Sequence, residues 1–289
     1  MTASSSDTSS LALPPPEVLA AQIKAGLPRF GHTDWLPETR STNADLLDRA
    51  RHGAMNRPWL LGTHLQTQGR GRAGRTWQNR VGSNLMFSCA FDVFLPARQL
   101  PTLAPLIGMV SCQALRRLVG PAVRSRINMK WPNDVQWDQA KLAGILIEST
   151  RSGTAPAADH HLIIIGMGLN LQDARALSLS LDRQVADWSE ISTVDATAAG
   201  VQAGQCVCHL AQTWYEALNL ASAHGFSDLP AQYAEVDGLA GQILDVLDNG
   251  KLRQTGVACG IDPQGRLLLR NNDGTTPVSV GEISVRVRR

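Results

Sequence analysis

The sequence predicts an α/β (α+β) chain in which a larger mixed domain is followed by a small β-barrel. Up to about residue 237, short apolar runs alternate with stretches whose apolar residues recur at helical spacing. From Gly238 the texture changes to short β-prone runs separated by Asp-Asn-Gly at 248–250, Asp-Pro-Gln-Gly at 262–265 and Asn-Asp-Gly at 272–274, a spacing that suits a small barrel. The 289 residues leave room for one large domain and one small one. The expected division is a leader with a short helix over 1–30, a main domain over 31–237 and the β-rich domain over 238–289.

Residues 1–16 are Ser/Thr-rich and end in three prolines, which predicts a disordered leader. Glu17 to Ala25 reads as a short helix stopping at Gly26. Ser41-Thr42-Asn43 caps the next helix, which Gly53 ends. Trp59 to His64 is a short apolar strand, residues 66–84 form a Gly/Arg-rich loop, and Asn84 to Phe91 is a strand with Leu85, Phe87, Cys89 and Phe91 on one face. Leu103, Leu106, Ile107, Val110, Ala114 and Leu118 mark a helix with Pro101 near its start and Gly120-Pro121 at its stop. Strands are expected around Val123–Lys130, Val135–Trp137, Lys141–Glu148 and His161–Met167, with a loop at SGTAPAAD before the last. Asp195 opens a long helix with Val201, Val207, Leu210, Trp214 and Leu218 on its apolar side, ended by His224-Gly225.

Composition excludes several classes. Hydrophobic residues make up 43% and charged residues 18%, as in ordinary globular proteins, and the net charge of +2 is too small to imply a nucleic-acid or membrane partner by bulk electrostatics. The five cysteines include no CxxC pair, so reduced thiols are favoured over a zinc site or disulfide framework. The N-terminus lacks a secretory signal, and no apolar run approaches the ~18 residues of a membrane span. The expectation is a cytoplasmic protein. The chain before residue 31 is too short for a folded DNA-binding domain, so no DNA partner is expected.

Three segments carry chemistry. In Gln66-Thr67-Gln68-Gly69-Arg70-Gly71-Arg72-Ala73-Gly74-Arg75-Thr76-Trp77, glycines let the backbone approach a ligand and arginines supply permanently charged donors for phosphate or carboxylate. No acidic residue lies between Gln66 and Phe91 to neutralise them, so the loop should order when an anion binds. Against a nucleic-acid RG segment, this one occurs once and runs into a strand. In Lys130-Trp131-Pro132-Asn133-Asp134, followed by KLAGILIE at 141–148, Lys130 and Lys141 are point charges for phosphate, and Asn133 and Asp134 can contact nucleotide or magnesium. Gly144 within an apolar strand suggests a ligand's close approach; the bland alternative is a hairpin turn with two surface lysines. Gly166-Met167-Gly168-Leu169-Asn170 is weak alone and lacks the GxGxxG of a dinucleotide fold.

In this order, Ser41-Thr42-Asn43, QTQGRGRAGRTW, KWPND, KLAGILIE, GMGLN and GEISVR at 281–286 resemble the biotin–protein ligases, over about residues 38–289. The resemblance implies a mixed-sheet catalytic domain related to class II tRNA synthetases and lipoate ligases, a C-terminal SH3-like barrel, and the form without an N-terminal DNA-binding domain. It implies biotin and ATP as substrates with Mg2+, an adenylate intermediate, and as partner the biotin carboxyl carrier domain of acetyl-CoA carboxylase; a homodimer is left open. It implies that Ser41, Thr42, Asn43 and Gln66 hold the ureido ring, while Gly69, Arg70, Gly71 and Arg72 wrap the carboxylate and α-phosphate near Gly144. Arg75, Lys130 and Lys141 then stabilise phosphate charge, with Lys141, Arg72 and Arg70 as the catalytic set. Trp77, Asn133, Asp134, Asn170 and Arg286 are nucleotide contacts, Asp134 also a magnesium ligand. A lipoate or other acyl-protein ligase is the nearest alternative. His64, close to the loop, reads as structural.

Overall fold

The computed structural model describes residues 12–52, 56–151, 159–181, 183–248, 250–281 and 283–288. The expected disordered leader falls mainly, and the Gly53 helix stop and SGTAPAAD loop almost wholly, outside them. Helix α1 spans Pro16–Gly26, β1 His32–Leu36, α2 Thr42–Arg51, β2 Trp59–Thr63, β3 Asn84–Phe94 and α3 Leu103–Arg117. A hairpin of β4 (Ile127–Lys130) and β5 (Asp134–Trp137) leads into β6 (Ala140–Arg151) and β7 (His160–Asn170). Together the strands form one sheet in the order β1-β2-β3-β7-β6-β5-β4. Only β1 and β2 run parallel; every other pair is antiparallel.

Five helices follow: α4 (Ala174–Leu181), α5 (Trp188–Val194), α6 (Ala196–Ala199), α7 (Ala203–His224) and α8 (Leu229–Ala234). The strands at the sheet's centre are buried on both faces, which is why β2 and β3 read as continuous apolar runs. On one face α1, α3 and α7 pack. There the Trp214 ring stacks on Phe87 at 5.1 Å, and its indole N–H donates to Ser111 Oγ at 2.8 Å. On the other face α2 covers Trp59, Leu61, Ala90, Leu162 and Ile164 with Leu46. This second face, beyond the reach of α2, holds the site.

The small unit is a five-stranded antiparallel sheet of β8 (Ile243–Asp248), β9 (Lys251–Ile261), β10 (Leu267–Asn271), β11 (Gly274–Val278) and β12 (Ile283–Val287), ordered β11-β10-β9-β8-β12.

Two expected elements differ. Residues 124–126 form a 3-10 turn, so the strand expected from Val123 begins only at Ile127. Asp195 does cap a helix, accepting from Ala198 N at 2.7 Å, but that helix is α6, and Gly200 ends it before α7 starts at Ala203. A cap fixes where a helix starts and says nothing about its length. His64 is structural: it accepts from the Trp35 indole at 2.8 Å and holds Pro14 O at 3.0 Å.

Candidate functional site

The floor of the site is a strip of backbone without side chains. β6 and β7 pair Gly144 with Gly168 and Leu146 with Gly166. A Cβ on Gly166 would lie 2.2 Å from Asn43 Oδ1, and one on Gly168 would lie 2.3 Å from the Trp77 ring. Two strand residues separate these glycines, roughly 7 Å along the strand. Each marks one end of the cleft.

At the Gly166 end sits a closed polar network. Ser41 caps α2, its hydroxyl accepting from Ala44 N at 3.5 Å, and so directs Thr42 and Asn43 toward the sheet. Gln66 Oε1 accepts from the Thr42 N–H at 2.9 Å, and the Thr42 hydroxyl lies 2.6 Å from that of Ser88. Ser88 donates to Asn43 Oδ1 at 2.6 Å, and Asn43 Nδ2 donates to Glu148 at 2.8 Å. Ser41, Thr42, Asn43 and Ser88 are all buried. Buried polar groups left unpaired are costly, so this end favours a ligand that hydrogen-bonds.

Above the floor, the Gly/Arg-rich segment folds back on itself. Trp77 N donates to Gly69 O at 2.9 Å and Gly71 N to Arg75 O at 2.7 Å, around a tip where Ala73 and Gly74 have φ of 52° and 69°. The expectation of an arm ordered by its anion overlooked this ladder. The arm's charges are also met from distant parts of the chain. Arg70 pairs with Glu148 at 3.0 Å, while Arg72 donates to Asn133 Oδ1 at 2.9 Å and to Gly281 O at 2.5 Å. Arg70 to Gly74, Leu146 and Glu148 line a cavity of about 350 Å³.

Toward Gly168 the chemistry turns cationic. Trp77 lies against Gly168 and Gly144, its buried Nε1 without a partner. The close approach that Gly144 permits is therefore that of Trp77 and of Lys141, whose Nζ lies 5.6 Å from the Trp77 ring centroid. Lys141 Nζ holds Asp134 Oδ1 at 2.6 Å. Burial pushes the Lys141 and Lys130 ammonium groups below the usual lysine range; Asp134 opposes this, and Arg183 pushes both further down. Arg75 adds to the effect on Lys141, Arg286 to that on Lys130, and burial likewise lowers Arg72. Among the described residues, Arg72, Arg75, Lys130, Lys141, Arg183 and Arg286 thus share one carboxylate, Asp134. The side chains of Arg75, Lys130, Arg183 and Arg286 make no hydrogen bond or ion pair there. Such an excess of unpaired cations is an anion site.

This division into a polar end and a cationic end is shared with a known family. Residues 35–170 match the biotin/lipoate A/B protein ligase family, and residues 241–286 match the biotin protein ligase C-terminal domain. The bifunctional ligase/repressor BirA of Escherichia coli is 31% identical over 275 residues, covering 95% of this chain and 80% of that protein. The chain belongs to the biotin/lipoate A/B protein ligase family. The biotin–[acetyl-CoA-carboxylase] ligase of Paracoccus denitrificans is 30% identical, covering 86% of this chain and 98% of that one. The biotin protein ligase of Aquifex aeolicus, solved in complex with biotin and ATP, shares the fold with a TM-score of 0.69 at 24% identity, over 90% of this chain and all of that one.

Within this ligase fold most sequence-predicted residues converge on the cleft. Asn170 does not reach it as a nucleotide contact: it is buried, its Nδ2 donates to Lys141 O at 3.2 Å and Ala186 O at 3.1 Å, and its Oδ1 accepts from Asn84. It positions the Lys141 backbone instead. Asn133 bridges Arg72 to Ile145 O at 2.6 Å. Sequence reasoning missed Ser88, Glu148 and Arg183. A lone serine inside the apolar run of β3 was a legible signal for Ser88; Glu148 and Arg183 lie 78 or more positions from the arm residues Arg70 and Arg75 and had none.

Proposed function

We propose that the chain is an ATP-dependent biotin–protein ligase, which joins biotin to ATP as biotinyl-5'-AMP and then to a lysine of a biotin carboxyl carrier domain. The observation that supports this most strongly is the pairing of a buried hydrogen-bonding network with an unpaired cation cluster across one glycine floor. A ureido ring would satisfy Thr42, Asn43, Gln66 and Ser88, whereas the apolar tail of lipoate or octanoate would leave them unpaired.

In this reading the biotin carboxylate attacks the α-phosphorus between the arm and Lys141. Arg70 and Arg72 hold the carboxylate and α-phosphate, and Lys141, Lys130 and Arg75 offset the charge that develops. Trp77 packs on the adenylate and, with the arm, keeps water from the anhydride. The acceptor amine then attacks the anhydride carbonyl and releases AMP. Magnesium would enter with ATP as part of the substrate: Asp134 is the cluster's single carboxylate, Lys141 already engages it, and no group of three or more metal-binding side chains occurs among the described residues. The described residues include no helix long and apolar enough to cross a membrane, and the five free cysteines suit a cytoplasmic enzyme.

ATP–pyrophosphate exchange with biotin, lipoate and octanoate tests this reading. Exchange should depend on biotin, and exchange supported equally by lipoate would overturn the choice of acid.

A further inference from the structure

Arg183 lies on the segment between α4 and α5, away from every motif that marks the site. Three observations place it there. The Lys141 backbone exchanges two hydrogen bonds with this segment, Lys141 N to Gln184 O at 3.0 Å and Ala186 N to Lys141 O at 2.9 Å. Ser178 of α4 ties the same turn down, its hydroxyl accepting from Val185 N at 3.0 Å and donating to Val185 O at 3.3 Å. α4 in turn meets the end of the arm, where Ser180 Oγ donates to Gln78 at 3.2 Å. Arg183 therefore stands next to the backbone register of Lys141, on the side away from Asp134's strand.

Its side chain is exposed and makes no hydrogen bond or ion pair among the described residues. Its charge acts on both Lys130 and Lys141. An exposed arginine that adds repulsion to two partly buried lysines is unfavourable unless an anion joins them. The α-phosphate and the carboxylate already have Arg70, Arg72 and Lys141 from the arm side. The cations left over, Lys130 and Arg183, lie beyond Lys141.

We infer that Arg183 and Lys130 form a separate subsite for the β- and γ-phosphates of ATP, and that Arg183 binds the pyrophosphate leaving group. This rests on the ligase reading above. As the carboxylate oxygen bonds to the α-phosphorus, the bond from that phosphorus to the bridging oxygen breaks, and its electron pair leaves on pyrophosphate. No proton moves in this step. A planar guanidinium beside an ammonium suits the charge that grows on that leaving group.

The two half-reactions separate this role from any other. In the first, Arg183→Gln should raise the KM for ATP and for pyrophosphate in biotin-dependent exchange by about tenfold, the scale of one charge-assisted hydrogen bond at a partly solvated site. Biotin affinity by calorimetry should not change, and Arg183→Lys should recover most of the loss. In the second, transfer from pre-formed biotinyl-AMP to a carrier domain should proceed at the parent rate, because pyrophosphate takes no part. Exchange kinetics unchanged in Arg183→Gln would overturn the inference. So would an equal loss in both half-reactions, which would place Arg183 on the adenylate itself. A parent protein that shows no biotin-dependent exchange at all would instead overturn the ligase reading.

Discussion

At Lys141 two opposing effects meet. Burial and the neighbouring arginines push its ammonium below the ordinary value of 10.5, while the contact with Asp134 holds the charge in place. The charge is thus kept at neutral pH but given up earlier than on a free lysine as the solution turns alkaline. Removing it in Lys141→Ala should slow adenylate formation by roughly 10²-fold or more, as the loss of an oxyanion donor does; near-parent rates on folded protein would refute the role. With the charge required, kcat/KM for exchange should fall on an alkaline flank below the usual lysine range. In Lys141→Arg that flank should move upward, because a guanidinium stays charged, and a flank that stays put would assign it to another group. The linkage has the opposite sign for stability. A lysine lowered on folding binds more protons in the unfolded chain, so this residue favours folding more as pH rises, and alkaline inactivation would not reflect unfolding at this site. Arg72 poses a different question, since its guanidinium joins the arm to Asn133 and to Gly281 of the small domain. Arg72→Gly should still form the adenylate but release it faster, labelling lysines of a bystander protein with biotin. Equal bystander labelling with unchanged adenylate release would show that Arg72 is no clamp.

Among the elements, the arm and the β6–β7 glycine strip act as a pair. Trp77 can lie flat only because Gly144 and Gly168 carry no side chain. Gly168→Ala should displace the ring and raise the KM for ATP roughly tenfold, within the usual 1–3 kcal/mol cost of overpacking. Biotin binding at the Gly166 end should stay within about twofold; a loss of biotin affinity alone would mean the two ends are not distinct. Sequence reading was effective where the signal is local. Ser41 was legible as a cap, the alternation in β3 as a strand, and the run of glycines and arginines as an anion-binding arm. It did not reach what depends on distant partners. The ion pair of Arg70 with Glu148 and the placing of Arg183 beside Lys141 follow from strand order, which no short window contains. Asn170 was assigned to the nucleotide because polar residues at a strand's end often face a ligand; here the side chain faces inward and holds backbone.

The whole molecule is joined through the same motif that supplies the site. Trp131 of KWPND is buried and donates from its indole to Gly265 O at 2.9 Å, and Thr102 donates to Gln264 O at 2.9 Å, both across to the small domain. Lys130 on one side of Trp131 and Asn133 on the other face the cleft, so docking of the small domain fixes the reach of both. Trp131→Ala should destabilise the protein by about 3–5 kcal/mol in denaturant titration and weaken ATP binding. A loss under about 1 kcal/mol, far below the range for a buried aromatic, would show that the two domains dock independently of it. The account's central claim is that this single cleft carries both biotin and ATP through to a protein acceptor. Intact-mass spectrometry of a purified biotin carboxyl carrier domain, incubated with the protein, biotin and ATP, tests it most directly. The account predicts the gain of one biotinyl group on a single lysine, dependent on both small molecules and strongly slowed by Lys141→Ala. No gain with biotin, or a gain with lipoate or octanoate in its place, would contradict it.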